Sequence, residues 1–185
     1  MCQCLAILAA FLLANPSRVA AGQLAQNEYR LKANFLAMSP SFVEWPVDAV
    51  TSSRGTFALC VYGDFFFGTT LAEMARASKV QGRRIEVKWI KKEGDLRACN
   101  LLFVSRSEQK HYESVTQAVR GTSILTIGET PEFLDAGGMV SLVMEGSKLQ
   151  FDVNLGAAER AHLKMSSRLL ALARHVIGTA QAEKS

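Results

Sequence analysis

No apolar run in this 185-residue chain approaches the roughly 20 residues that a membrane-spanning helix requires. Histidine is scarce: His111, His162 and His175 lie far apart, no HxxxH occurs, and no cysteine stands at metal-ligand spacing, so the sequence holds no local metal motif. A CxxC redox pair is missing, as are the G-x-S-x-G elbow, the P-loop and the dinucleotide fingerprint. The neighbours Ser166-Ser167 fall in a helix-like stretch, where small residues serve close packing more often than nucleophilic attack. No catalytic residue, metal site or cofactor is specified, and the chain is not expected to be an enzyme. Lys and Arg are dispersed, with short clusters only at Arg83-Arg84 and Lys91-Lys92. Without a basic stripe to track phosphates, nucleic acid is not an expected partner.

What is present begins with MCQCLAILAAFLLANPSRVAAGQ. Residues 5–13 are apolar, too few to span a bilayer, and Val19-Ala20-Ala21 has the small-residue pattern of a signal-peptidase site. A cleaved secretory signal over residues 1–21 is expected, against a short uncleaved anchor, a misplaced start or a buried N-terminal helix. No Lys or Arg precedes the run, which is atypical, and no cysteine follows it where a lipoprotein would need one. The remainder, residues 22–185, reads as one mildly basic domain of 164 residues, with 20 basic and 17 acidic side chains and a net charge of +3. A chain of that length can bury a core without staples.

Cys2 and Cys4 leave with the signal, so the mature protein keeps Cys60 and Cys99, an even number in an oxidising compartment. Both sit in strand-type runs, FALCVYG and ACNLLFV, which neighbouring strands could bring within bridging distance. A Cys60–Cys99 disulfide is the expectation, and two buried free thiols the alternative.

Apolar residues Leu24, Leu31, Phe35, Met38 and Phe42 step by seven, four, three and four, a helical face that needs something large to pack on. Pro40 lies inside this pattern and predicts a kink or an end near Met38. Strand-like segments follow at 57–62, 85–90, 101–104 and 123–127, with helix-like stretches at 66–77 and 108–119 and a third opened by Thr130-Pro131 and stopped by Gly137-Gly138. The turn at Glu145-Gly146-Ser147 predicts an antiparallel hairpin of residues 138–144 and 148–153. After it, Leu155, Ala158, His162, Met165, Leu169, Leu172 and Val176 step by three and four, predicting one long helix capped by Asn154. The fold class is therefore α/β: a mostly parallel sheet covered by helices on both faces, ending in an antiparallel hairpin and a long C-terminal helix.

In such a sheet, ligands favour the crevice at the carboxyl ends of the strands. Gly63, Asp64 and Glu129 occupy turns after strands, and Asn154, Arg160 and Arg168 on the last helix could face the same crevice, with an arginine as a charge-assisted donor to a small anion. Turn and cap chemistry is the simpler account of these positions. In SFVEWPVD, Glu44 stands between Val43 and Trp45 ahead of Pro46. Trp45 is expected to pack and Glu44 to be exposed, the pair being candidates for partner binding.

YRLKANFLAMSPSFVEWP resembles the opening block of the YfiR family of periplasmic regulators. LCVYGDFFFG, VQGRRIEVKWI and the long block from ILTIGETPEF to RLLALA are similar to its later blocks, in the same order, over about residues 28 to 173. Cys60 and Cys99 match a cysteine pair of the family, whereas the second pair that some members carry is missing. The resemblance implies a periplasmic, non-catalytic α/β domain, often a homodimer, that represses a membrane-bound diguanylate cyclase by binding its periplasmic sensor region. It also implies that an OmpA-like lipoprotein draws some members away, and that a related domain could serve a sensor kinase. A periplasmic small-ligand-binding sensor is the alternative function.

Overall fold

The computed structural model describes residues 16–47, 55–91 and 93–178; most of the expected leader, part of the joint after Pro46 and the C-terminal tail lie outside the described residues. Helix α1 (Pro16–Met38) ends where Pro40 removes a backbone donor, and a 3-10 turn (Ser39–Phe42) leads into strand β1 (Val43–Glu44). The chain continues through β2 (Thr56–Tyr62), α2 (Thr70–Ala77), β3 (Lys79–Val80) and β4 (Arg83–Ile90). A 3-10 turn (Glu93–Ala98) precedes β5 (Leu101–Val104), and another (Arg106–His111) runs into α3 (Tyr112–Ala118). Then come β6 (Leu125–Gly128), the single turn α4 (Glu132–Asp135), and the hairpin β7 (Val140–Glu145) and β8 (Lys148–Asn154). The C-terminal part holds α5 (Leu155–Arg160), β9 (Lys164–Met165), α6 (Ser167–Leu170) and β10 (His175–Ile177).

The main sheet has the order β10-β8-β7-β6-β5-β2-β4-β3, parallel except at β3/β4 and the β7/β8 hairpin. Its central strands are apolar on both faces because both are covered. Phe57, Leu59, Val61, Leu101 and Phe103 face one core with Ala33, Leu36 and Leu71 from α1 and α2. Ala58, Cys60, Tyr62, Leu102 and Val104 face the other with Tyr112, Val115 and Phe133. The period-two alternation along a strand makes this division. Cys60 in β2 and Cys99 ahead of β5 are bridged across the second core, Cα to Cα 5.8 Å.

Two expectations need correction. The long C-terminal helix does not form. His162 adopts φ +58°, and the N–H groups of His162 and Leu163 return to the carbonyls of Glu159 and Ala158, a Schellman arrangement that ends α5 with histidine where glycine is usual. Lys164–Met165 then pairs antiparallel with Val43–Glu44, Ser166 caps α6 by accepting from Leu169 N, and His175–Ile177 joins the main sheet alongside β8. Arg174 clamps this last segment, with two bonds to Asp152 (3.0 and 2.6 Å) and one to Glu145 (2.6 Å). Asn154 does cap α5, accepting from Ala157 N at 3.0 Å.

The buried face of α1 is only in part the one its apolar spacing suggests: Phe35 and Phe42 pack against the first core, Phe35 with its ring 4.9 Å from that of Phe151. Leu24 is 68 % exposed and Met38 is exposed, while Lys32, Ala33, Leu36 and Ala37 are buried. The helix has turned a lysine inward, and the reason lies at the carboxyl end of the sheet.

Candidate functional site

Parallel strands β4, β2, β5, β6 and β7 occur in that spatial order, so the chain winds first to one side of β2 and then to the other. The switch point falls between β2 and β5, where an open α/β sheet ordinarily leaves a crevice. Here the protein fills it. Gly63 follows β2 with φ +97°, and a Cβ there would lie 2.6 Å from Ser107 Oγ and 2.7 Å from Glu108 Cγ, so only glycine allows this approach. Asp64 N donates to Ser107 Oγ at 2.9 Å, joining the two strand ends.

Beside this contact Lys32, 1 % exposed, reaches from α1 to Glu129, which follows β6 and has a fully buried side chain; Nζ to Oε1 is 2.6 Å. Lys32 also pairs with Glu28 one turn earlier and lies 4.8 Å over the Tyr29 ring. The second oxygen of Glu129 accepts from Arg106 N at 2.7 Å and Ser105 Oγ at 3.3 Å. Arg106 Nη2 lies 3.5 Å from Glu28, a solvated pair of small energy. A buried charge persists only when paired and hydrogen-bonded, and both oxygens of Glu129 meet that condition. Burial acts most strongly on Glu129 and favours its neutral form; the Lys32 ammonium, its hydrogen bond and the Arg106 N–H together outweigh it and hold the carboxyl below its ordinary value. Burial, then the Glu129 charge, pushes the Tyr29 phenol well above its ordinary value and keeps it neutral.

An aromatic surface surrounds this junction. The turn after β2 carries Phe65, Phe66 and Phe67. Phe67 is buried, Phe65 is half-buried, and Phe66 is 58 % exposed, resting 5.3 Å from the Tyr29 ring. Trp89, near the end of β4, is 56 % exposed although its indole donates to Gly63 O at 2.9 Å. Phe65 lies between, 5.8 Å from Phe67 and 6.4 Å from Trp89, and Lys91 stands 4.9 Å over the Trp89 ring. Large rings, one of them fixed by a hydrogen bond to backbone and with Lys91 beside it, suit contact with another protein, because little conformational freedom is lost when they are covered.

The residues singled out in the sequence divide among four places. Gly63, Asp64 and Glu129 share the switch point. Asn154 ends β8 and caps α5, and Arg160, the last residue of α5, lines a separate cavity with Arg120. Arg168 is exposed on α6. Trp45 is buried with its ring 5.2 Å from Phe57, and Glu44 is exposed opposite Lys164 in the β1/β9 pair. Sequence reasoning missed Lys32, Arg106, Phe66 and Trp89. The i,i+4 pair Glu28/Lys32 and the row of three phenylalanines in GDFFFG were the available signals. Among the described residues, no group of three His, Cys, Asp or Glu is placed to hold a metal, and no helix is long and apolar enough to cross a membrane.

Such an architecture, a doubly wound α/β sheet whose switch point is closed by its own N-terminal helix, defines a class of compact domain with a locked polar junction and an exposed aromatic rim. The chain belongs to the YfiR/HmsC-like family, whose model matches residues 29–174. Its fold is similar to that of the ABC domain in complex with L-Trp from Streptococcus pneumonia, at 10 % identity and a TM-score of 0.50, covering 71 % of this chain and 59 % of that one. A conserved domain protein from Vibrio cholerae O1 biovar El Tor aligns at 13 % identity and a TM-score of 0.47, covering 70 % and 58 %. The chain thus spans less than two thirds of either structure, and likeness at such identity concerns the fold alone.

Proposed function

We propose that this chain is a secreted periplasmic regulator, not a catalyst, that binds the periplasmic sensor region of a membrane-bound diguanylate cyclase and holds the cyclase in its repressed state. Membership of the YfiR/HmsC-like family over residues 29–174 carries this reading. A regulator of this kind acts by preferring one conformational state of its partner, so its affinity difference between states sets the extent of repression. The exposed rings of Phe66 and Trp89 are the surface we assign to that contact, with Glu44 as a second candidate on the β1/β9 pair and Trp45 supporting it from within. A sensor kinase with a related periplasmic region is the other receptor of the same type. An OmpA-like lipoprotein competing for the regulator, and a homodimer as its working form, belong to the same proposal.

Repression is tested by measuring cellular cyclic-di-GMP in strains with and without the chain, and binding by titrating the purified periplasmic region of the cyclase. Loss of the chain should raise cyclic-di-GMP. Phe66→Ala and Trp89→Ala should each weaken binding about tenfold or more while leaving the thermal midpoint nearly unchanged, as central aromatic contacts do. Unchanged cyclic-di-GMP together with no measurable association would overturn the assignment.

A further inference from the structure

A cavity of about 300 Å³ opens at the amino end of β6, the end opposite Glu129, between the C-terminus of α3, the segment before β7 and α5. Arg120 and Arg160 both line it, and neither guanidinium has a hydrogen-bond or ion-pair partner among the described residues. Each follows or ends a short helix, where a cation is favoured by the helix dipole. That preference does not use their donors, because the terminal carbonyls already accept from backbone: Gln117 O from Arg120 N, Ala157 O and Ala158 O from Ala161 N, and Glu159 O from His162 N. Among the described residues, no Asp or Glu lines the cavity. Its floor includes the buried hydroxyl of Thr126, which accepts from Met139 N at 3.1 Å and has no acceptor for its own hydrogen among the described residues. Val119, Met139 and Ala161 supply the apolar wall.

Two unspent guanidinium groups and one unspent hydroxyl hydrogen therefore border a space of ligand size next to apolar side chains. We propose that this cavity binds a small organic anion, a carboxylate or phosphate ester with a compact apolar body. Its charged group is held by Arg120 and Arg160 as charge-assisted acceptor. Thr126 donates to it or to the adjoining polar atom, and the body lies against Met139. This site is separate from the aromatic surface assigned to the protein partner, and its occupancy can be measured whether or not the chain represses a cyclase.

The test uses phenyl phosphate, benzoate and inorganic phosphate as probes on the full mature chain. At about ten times its dissociation constant, phenyl phosphate or benzoate should raise the thermal midpoint by roughly 3 °C, by mass action on the folded state. Isothermal titration should show Arg120→Gln and Arg160→Gln each binding about tenfold more weakly or worse, with the double variant silent. Arg168→Gln, an exposed arginine outside the cavity, should bind as the wild type does. Far-UV circular dichroism of each variant confirms the fold. The better of phenyl phosphate and benzoate identifies the anion, and either result supports the site. Inorganic phosphate binding as tightly as phenyl phosphate would overturn the apolar body. No response of the wild-type chain to any of the probes, or an undiminished response in the double variant, would overturn the site.

Discussion

Lys32→Met separates a structural role for the α1 junction from a decorative one. The substitution keeps length and apolar volume but removes the ammonium, leaving Glu129 buried with Arg106 N, Ser105 Oγ and the Tyr29 hydroxyl as partners. Breaking one side of a buried pair costs about 3–5 kcal/mol. The remaining hydrogen bonds put this case at the lower end, about 3 kcal/mol, because they still solvate the carboxylate. In Lys32→Met/Glu129→Gln no buried charge is left, and stability should return to within about 1 kcal/mol of wild type, as when a buried pair is replaced as a unit. The pH dependence supplies a second reading. In the wild type the folded-state carboxyl lies below its ordinary value of 4.5, so its contribution is present above that value and is lost as pH falls through the depressed one. In Lys32→Met the Lys32 charge and hydrogen bond, the strongest contributions against burial, are gone; only the hydrogen bonds from Arg106 N, Ser105 Oγ and Tyr29 still oppose it, and the folded-state value rises above the unfolded one. The variant is then favoured at low pH and loses stability as pH increases through that raised value, reversing the slope in the mildly acidic range. Urea denaturation followed by circular dichroism between pH 4 and 7 measures both effects. A single variant within about 0.5 kcal/mol of wild type, or a double variant no more stable than the single, would refute the reasoning.

Other outcomes follow from separate elements. Trp45→Ala should cost about 3–5 kcal/mol by removing a buried ring against Phe57, whereas Trp45→Phe should cost far less, since the buried indole N–H has no partner to lose among the described residues. Glu44→Ala should change denaturation stability by no more than about 0.5 kcal/mol, because the side chain is exposed; a larger loss would show that the β1/β9 pair depends on it. Cys99→Ser should lower stability by about 4 kcal/mol through release of a 39-residue separation, without abolishing the fold. Intact-mass measurement with and without reduction before alkylation checks the bridge, and two alkylated thiols in the unreduced protein would contradict it.

Much of this molecule is legible locally. The end of α1 at Met38 follows from Pro40, whose missing N–H acts whatever surrounds it. The two-sided burial of 57–62 and 101–104 follows from unbroken apolar runs between polar turns, and the hairpin from Gly146 between two alternating segments. An even cysteine count in strand contexts pointed to the Cys60–Cys99 bridge, and Trp45 inside with Glu44 outside follows from their chemistry alone.

The remaining features depend on partners distant in sequence. Apolar spacing placed Leu24 and Met38 on the packed face of α1 with Phe35 and Phe42; the phenylalanines pack, but Leu24 and Met38 are exposed, and Lys32 is buried through its pairing with Glu129, 97 residues away. Helical spacing from 155 to 176 is real, yet residues 164–165 and 175–177 pair instead with β1 and β8, partners that lie elsewhere in the chain, and His162 adopts the left-handed turn that ends α5 before them. The assembly of Gly63, Ser107, Glu129 and Lys32 at one switch point, and of Arg120 with Arg160 at the other end of β6, is a matter of strand order. Strand order is written in no local window of the sequence, because it is set by which non-local faces bury together, and that was decided by the tertiary structure alone.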